Sequence, residues 1–366
     1  MKELSMARNH LVLEDGTVLE GEAFGYEKAE TGEVVFSTAM GGYQESITDP
    51  SYQGQILIET YPLIGNYGIT NDANQSDGVH VRALVVREYC KEPSLMYGGR
   101  TIDSFLKENK VPGISGIDTR ELVLKIRSEG TLKGAIVYDD SLIDETIAKL
   151  RKMPAPSESN LVAEVTCKKA YVEDNGKDIT AGVIDCGTKN GILNSLRQRC
   201  NLKVFPYDTP AQEIVDAGVD GVLITNGPGD PAHPEIKKTL VRTCSDLIGQ
   251  MPMMGICYGS QVIGLALGGT TYKMKYGHRG SNQPVKFDNR IYITSQNHGF
   301  AVDEHSLDGK DVIVNQININ DGSVEGLIHK NLPVFTCQYH PEAHAGPDDT
   351  SFIFNNFADM MKEAKR

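Results

Sequence analysis

Between Asp246 and Lys273 the chain runs for 26 residues without a charge, LIGQMPMMGICYGSQVIGLALGGTTY. A run of that length can cross a bilayer. It can also be a buried strand, turn and helix. The composition of the run separates the two readings. Glycines stand at 249, 255, 259, 264, 268 and 269, together with Pro252, Gln250 and Gln261. So much glycine and amide suits closely packed backbone rather than lipid-facing helix. PMMGIC therefore reads as a strand and GSQVIGLALGG as the helix after it, with Cys257 at the turn between.

The surrounding sequence has the same rhythm. DITAGVID, LKVFPYD and VDGVLIT read as strands. TKNGILNSLRQRC, PAQEIVDAG and HPEIKKTLVRTCSDLIG read as helices between them. Alternation of this kind implies an α/β domain with a parallel sheet covered on both faces. Ligands in such sheets bind beyond the carboxyl ends of the strands. Cys257 and the loop NGPGDP, residues 226–231, both fall there.

The first half differs. HLVLEDGTVLEGEAFG alternates around Asp15-Gly16, a two-residue hairpin signal, and GEVVFSTAM and QILIETYPLIG read as further strands. Asp118, followed three residues on by Glu121 and later by Gly130, brackets one helix, and SLIDETIAKLRKM is a second. RKMPAPSESN and VEDNGKD carry the proline, glycine and charge of a connection between domains. The expected organisation is a β-rich α/β domain over 1–160, a linker over 161–178, and a parallel-sheet domain over 179–366.

Net charge is −13, which argues against phosphate-backbone binding. Seven cysteines at irregular spacing, with no C-x-x-C pair, disfavour a disulfide framework or a zinc ribbon. MKELSMARNHLVLEDG lacks the apolar core of a secretory leader. A cytoplasmic enzyme acting on small molecules is the expectation.

Cys257 sits where chemistry would want it. A residue at a strand tip, just before a helix, faces backbone N–H groups and the positive end of the helix dipole, which favour a thiolate. Gly255 and Gly259 flank it as glycines flank the serine of a nucleophile elbow. Taken alone, a cysteine here could equally be core filler. A nucleophile also needs an oriented base. In VFTCQYHPEAH a strand-like run delivers His340, with Glu342 two residues on and so on the same side of an extended chain. The spacing of His340 and His344 resembles a helical zinc site. It is not H-E-x-x-H, however, and a third ligand such as His298 would have to be borrowed, so no metal is expected.

Together GICYGSQ, NGPGDP and HPEA resemble the class I glutamine amidotransferase domain. The resemblance implies that Cys257 attacks the glutamine side-chain amide, His340 moves protons and Glu342 orients it. It also implies an oxyanion hole from the N–H groups of Tyr258 and Gly229. SQNHGFAVDEHSL (295–307), with TGEVVFSTAMGGYQESITDPSYQGQIL, YPLIGNYG and GISGIDTREL, is similar to the small-chain family of carbamoyl-phosphate synthase. By that resemblance glutamine would be held by Ser51, Gly227, Gly229, Tyr258, Gln261, Asn297, Gly299 and Phe300, with Ser51 supplied by the first domain. Taken singly, Gln261 could cap a helix and Ser51 could simply belong to the turn after Asp49-Pro50.

The family's synthesis consumes ATP, yet the chain has no G-x-x-x-x-G-K-[ST] and NGPGDP lacks a phosphate-loop lysine. The resemblance therefore implies that this chain binds no cofactor. ATP and Mg would belong to a large partner chain, docked on an exposed apolar face of the first domain. A non-catalytic scaffold, or a free-standing hydrolase of the same fold, are the alternatives. The family most often has Leu-Gly-His-Gln after the cysteine, where this chain has Tyr258-Gly259-Ser260-Gln261.

Overall fold

The Asp15-Gly16 signal is a hairpin in the computed structural model, which describes residues 8–365, but three residues (14–16) rather than two separate the paired Leu13 and Thr17. Gly16 has φ +103°, a conformation that costs glycine little. It joins β1 (Arg8–Leu13) to β2 (Val18–Gly25) in an antiparallel pair. Then follow β3 (Glu30–Ser37), β4 (Gln55–Glu59), β5 (Leu63–Ile64), β6 (Ala83–Val85), β7 (Glu88–Tyr89), β8 (Pro112–Ser115) and β9 (Leu132–Val137). Seven of these close into a barrel in the order β1-β2-β8-β6-β4-β3-β9, and β5 pairs with β7 apart from it. The run β3-β4-β6-β8 is parallel and the rest antiparallel. Closure leaves no sheet edge to protect. Asp118 caps the helix Thr119–Glu129 by accepting from Glu121 N at 3.0 Å, as its sequence suggests.

This first compact unit ends at Glu158 and the second begins at Ser159. The stretch 161–178 is not the free linker its composition suggests. Leu161 and Val162 are buried. Val162–Val165 forms a helical turn, and β10 (Tyr171–Glu173) pairs with the sheet of the second unit. Asp185 anchors the stretch further, its carboxylate accepting from Cys167 N at 2.7 Å and its carbonyl from Thr166 Oγ1 at 2.7 Å. Two apolar residues and two hydrogen bonds outweigh the proline and charge around them.

The second unit continues with β11 (Thr180–Asp185), β12 (Asn201–Pro206), β13 (Gly221–Ile224), β14 (Met253–Ile256), β15 (Thr271–Phe287), β16 (Arg290–Val302), β17 (Val312–Asn318), β18 (Val324–His329) and β19 (Val334–Cys337). They form one ten-stranded sheet with β10, in the order β10-β12-β11-β13-β14-β19-β18-β17-β15-β16. The run β12-β11-β13-β14-β19 is parallel, as the alternation predicts. The wing β18-β17-β15-β16 is antiparallel, so the predicted parallel sheet is the centre of a mixed one. Successive strand residues face opposite ways. Val183, Leu223 and Met254 join one apolar layer with the helices Asn190–Arg197 and Ile353–Ala364. Ile184, Ile224 and Met253 join another with Arg242–Leu247 and Tyr258–Ala266. Within the uncharged run the helix is only nine residues long. Among the described residues no helix is long and apolar enough to cross a membrane.

Candidate active site

Cys257 stands at the end of β14, immediately before the helix Tyr258–Ala266, at φ 53° and ψ −103°. Positive φ at a residue with a side chain is strained by about 1–3 kcal/mol and persists only where the surroundings enforce it. Here Cys257 N donates to Cys337 O at 2.8 Å, and Gly259 N donates to Thr225 O at 3.0 Å. The flanking glycines are steric requirements. A Cβ on Gly255 would lie 2.5 Å from Gly259 O, and one on Gly259 would lie 2.1 Å from Ile224 O. The G-x-C-x-G spacing thus records how closely β13, β14 and the helix approach each other. The thiol is buried and donates to Asn297 O at 3.5 Å.

His340 follows β19 and is held by an antiparallel bridge to Ser295, with His340 N donating to Ser295 O at 2.9 Å. Its Nδ1 lies 2.7 Å from Glu342 Oε1. Its Nε2 is buried without a conventional hydrogen bond and feels the Cys257 thiol beside it. Burial works against a charged ring, but the Glu342 carboxylate outweighs it. With Cys257 it holds the imidazole pKa up at about 10, Lys189 pulling the other way. For Glu342 burial pushes the pKa up, while Lys189 and then His340 overcome it and hold the carboxyl at about 2. A thiol, a basic imidazole and an ionised carboxylate in sequence can relay a proton to and from a reacting carbonyl.

Lys189 was not foreseen. Its Nζ lies 2.9 Å from Glu342 Oε1 and donates to Ala343 O at 2.9 Å, with 5% of the side chain exposed. Asp185 shapes the loop that carries it, accepting from Gly187 N, Thr188 N and Thr188 Oγ1. Lys189 N donates to Asn226 Oδ1 at 3.1 Å, which ties that loop to NGPGDP. Its sequence signal was position alone, just past the carboxyl end of a predicted strand.

The other predicted residues fall as follows. Ser51 lies in the first unit, in the turn Pro50–Tyr52, where its N–H donates to Asp49 Oδ1 at 2.9 Å. The remaining seven lie in the second unit. Gly227 packs on Cys186, whose carbonyl oxygen a Cβ would meet at 2.4 Å, and Gly229 has φ +87°. Tyr258 is buried in the apolar layer with Ile224 and Val262, and its hydroxyl donates to Asp230 O at 3.4 Å. Gln261 does not cap the helix. Its Nε2 donates to Phe300 O at 2.7 Å and to Gln338 Oε1 at 3.1 Å. Asn297, Gly299 and Phe300 lie on β16, in the antiparallel wing. Ser260 is buried and donates to Thr336 Oγ1 at 2.8 Å on β19, a bond that includes neither Cys257 nor His340.

The segment HPEAH is not helical. Ala343 and His344 both have positive φ, so His340 and His344 do not share a helix face. His298 instead meets His278 and Glu325, whose ligand-type atoms lie within 4.8 Å of one another. Hydrogen bonds occupy these rings: His278 Nδ1 and His298 Nε2 each lie 2.9 Å from Gln296 Oε1. His278 Nε2 lies 2.9 Å from Asp321 Oδ2. Burial pushes the His278 pKa down, but Asp321 and Glu325 raise it to about 9. A raised imidazole pKa stabilises the fold fully below the unfolded value of about 6.5. That contribution is lost as pH rises through about 9. Asp321→Asn is therefore expected to lower the melting temperature more at pH 6 than at pH 9.5. Equal losses at both would show that the contact is not ionic.

Residues 11–136 match the family described as carbamoyl-phosphate synthase small chain, CPSase domain, and residues 182–360 match glutamine amidotransferase class-I. A carbamoyl phosphate synthase small chain of Archaeoglobus fulgidus is 50% identical over 356 residues, 96% of this chain and 98% of that protein. One of Methanopyrus kandleri is 49% identical, covering 97% of this chain and 99% of its own. One of Staphylococcus haemolyticus is 45% identical, covering 98% of each. With both domain matches in order along the chain, and relatives of this identity over nearly its full length, the chain belongs to the carbamoyl phosphate synthase small-chain family and carries a class I glutamine amidotransferase domain.

Proposed function

We propose that this chain is the glutaminase subunit of a cytoplasmic carbamoyl phosphate synthase. The observation that carries the reading is the buried series Cys257, His340 and Glu342 at the carboxyl ends of β14 and β19. His340 Nε2 takes up the proton of the Cys257 thiol, as the raised imidazole pKa favours, and the sulfur attacks the side-chain amide carbon of L-glutamine. The N–H groups of Tyr258 and Gly229 receive the developing oxyanion. His340 returns the proton to the departing nitrogen, and ammonia leaves a γ-glutamyl thioester. Water, deprotonated by His340, then releases glutamate and regenerates the thiol. Glu342 holds the ring and balances its charge throughout.

Ammonia is largely protonated near neutral pH and is then no nucleophile. A separate large chain that holds ATP and Mg is the natural acceptor, reached by an enclosed path. The test is to purify the full chain with that partner. Glutamine hydrolysis stimulated by bicarbonate and ATP, with carbamoyl phosphate formed only when both chains are present, is the expected result. An intact Cys257 with no glutamine hydrolysis, alone or paired, would favour the scaffold reading and implicate the Tyr258 and Ser260 departures.

A further inference from the structure

The antiparallel wing has an inner face that is filled and an outer face that is not. On the inner face Val285 belongs to the apolar core, and Phe287 and Tyr292 pack on Phe352. Register fixes which residues share the outer face. Pro284 on β15 pairs with Ile293 on β16, and Ile319, just past β17, donates its N–H to Pro284 O at 2.9 Å from the other side. One step along, Lys286 pairs with Ile291 on β16 and with Ile317 on β17. Directly opposed residues in an antiparallel pair project from the same face. Two cross-strand rows therefore lie side by side, Ile293-Pro284-Ile319 and Ile291-Lys286-Ile317. Ile291 is 62% exposed, Ile319 45% and Ile293 39%. Single exposed isoleucines are ordinary, but four aligned around a proline make a contiguous apolar patch of the kind that marks a protein interface.

Charge and position narrow the occupant. Residues 271–302 carry Lys273, Lys275, Arg279, Lys286 and Arg290 against one acid, Asp288, in a chain of net charge −13. Lys286 and Arg290 are exposed beside the isoleucines. Two copies of this patch set face to face would bring like charges together, so the complement is a surface with acidic residues. β16 also runs from the patch into the site. Its Ser295 bridges to His340, and its Asn297 O accepts from the Cys257 thiol. At about 3.3 Å per strand residue, Ile293 lies about 13 Å from Asn297. A chain that takes ammonia from this site along an enclosed path must seat close beside it.

Resting on the glutaminase reading, we infer that the outer face of the wing, centred on Ile291, Ile293 and Lys286, docks the large ATP-using chain through a surface apolar at its middle and acidic at its rim. Burial of the isoleucines drives the association. Lys286 and Arg290 steer it and set its register.

The test is the Kd between the full chain and the large chain. Ile291→Ser combined with Ile293→Ser should raise it about tenfold or more. Lys286→Glu keeps every apolar residue and should also raise it about tenfold, with the loss shrinking as salt is added. Glutamine hydrolysis by the chain alone and its urea midpoint should not move, because these side chains are exposed. If the isoleucine pair does lower the midpoint, Lys286→Glu decides the matter by itself. Leu95→Ser with Met96→Ser is the comparison, since these residues are 83% and 72% exposed on the first unit, where the docking face is expected. An unchanged Kd in the wing variants, or a loss confined to the Leu95 and Met96 pair, overturns the inference and leaves the glutaminase reading standing. Self-association that the isoleucine pair abolishes, with the Kd for the large chain unmoved, would give the face to a second copy and overturn it too. A parent chain that hydrolyses glutamine but binds no large chain sinks both the docking face and the subunit reading.

Discussion

Cys257→Ala should leave a folded chain whose release of ammonia from glutamine is down by about 10⁴-fold or more. The fold should survive because the substitution removes one sulfur and keeps the Cβ. The backbone bonds to Cys337 O and Thr225 O that enforce the turn do not involve the thiol. The midpoint of urea unfolding should therefore move by no more than about 1 kcal/mol in free energy. Activity should collapse because nothing else in the second unit can take the role. Burial pushes the thiols of Cys186 and Cys337 well up, and Cys244 up as well. Burial likewise takes Cys200 to about 11 and, helped by Asp185, Cys167 to about 12. Thiols held in the protonated form are poor nucleophiles. A glutamine-shaped electrophile should accordingly form its adduct on Cys257 in the parent and on no cysteine of the variant. An adduct on Cys90, or full activity in the variant, would sink the mechanism.

That result would test the part of the site most legible in the sequence. The elbow was readable because its constraint is local. Two glycines at i−2 and i+2 are demanded by contacts of 2.5 and 2.1 Å, and few other residues could stand there. His340 and Glu342 were readable as a close pair, but the chain there is a turn rather than extended: Ala343 N donates to His340 O at 3.1 Å, and that turn carries Glu342 Oε1 to His340 Nδ1. The βα alternation gave the parallel centre of the sheet because its inner strands β11, β13 and β14 are buried on both faces and read as nearly continuous apolar runs. The antiparallel wing gave no such signal. β15 and β16 are long and half exposed, with register shifts, so their pattern is neither a clean alternation nor an apolar run. The barrel strands were visible one by one, but closure depends on the distant pairing of β1 with β9. Lys189 was hidden because its role comes from a contact 153 residues away in sequence. A lone lysine near a strand end is ordinarily a solvated one.

Lys189 is also where the second large effect is expected. Glu342→Gln leaves a buried ammonium facing a neutral amide and removes the charge that raises the His340 pKa. Breaking one partner of a buried pair costs about 3–5 kcal/mol, so this variant should be strongly destabilised. Lys189→Met should cost less, because Glu342 keeps His340 as its second partner at 2.7 Å. The double variant should be more stable than the sum of the two losses predicts, since neither charge is then left stranded by the other. A coupling of about 1–3 kcal/mol in urea unfolding is the expected reading. The activity profiles should move in opposite directions. Glu342 raises the imidazole pKa and Lys189 lowers it. The pH limb belonging to His340 should therefore shift down in Glu342→Gln and up in Lys189→Met. Additive stabilities, or limbs that shift the same way, would show that Lys189 and Glu342 do not act as one charge system on His340. The lysine would then be a fixture of the loop rather than a control on the base.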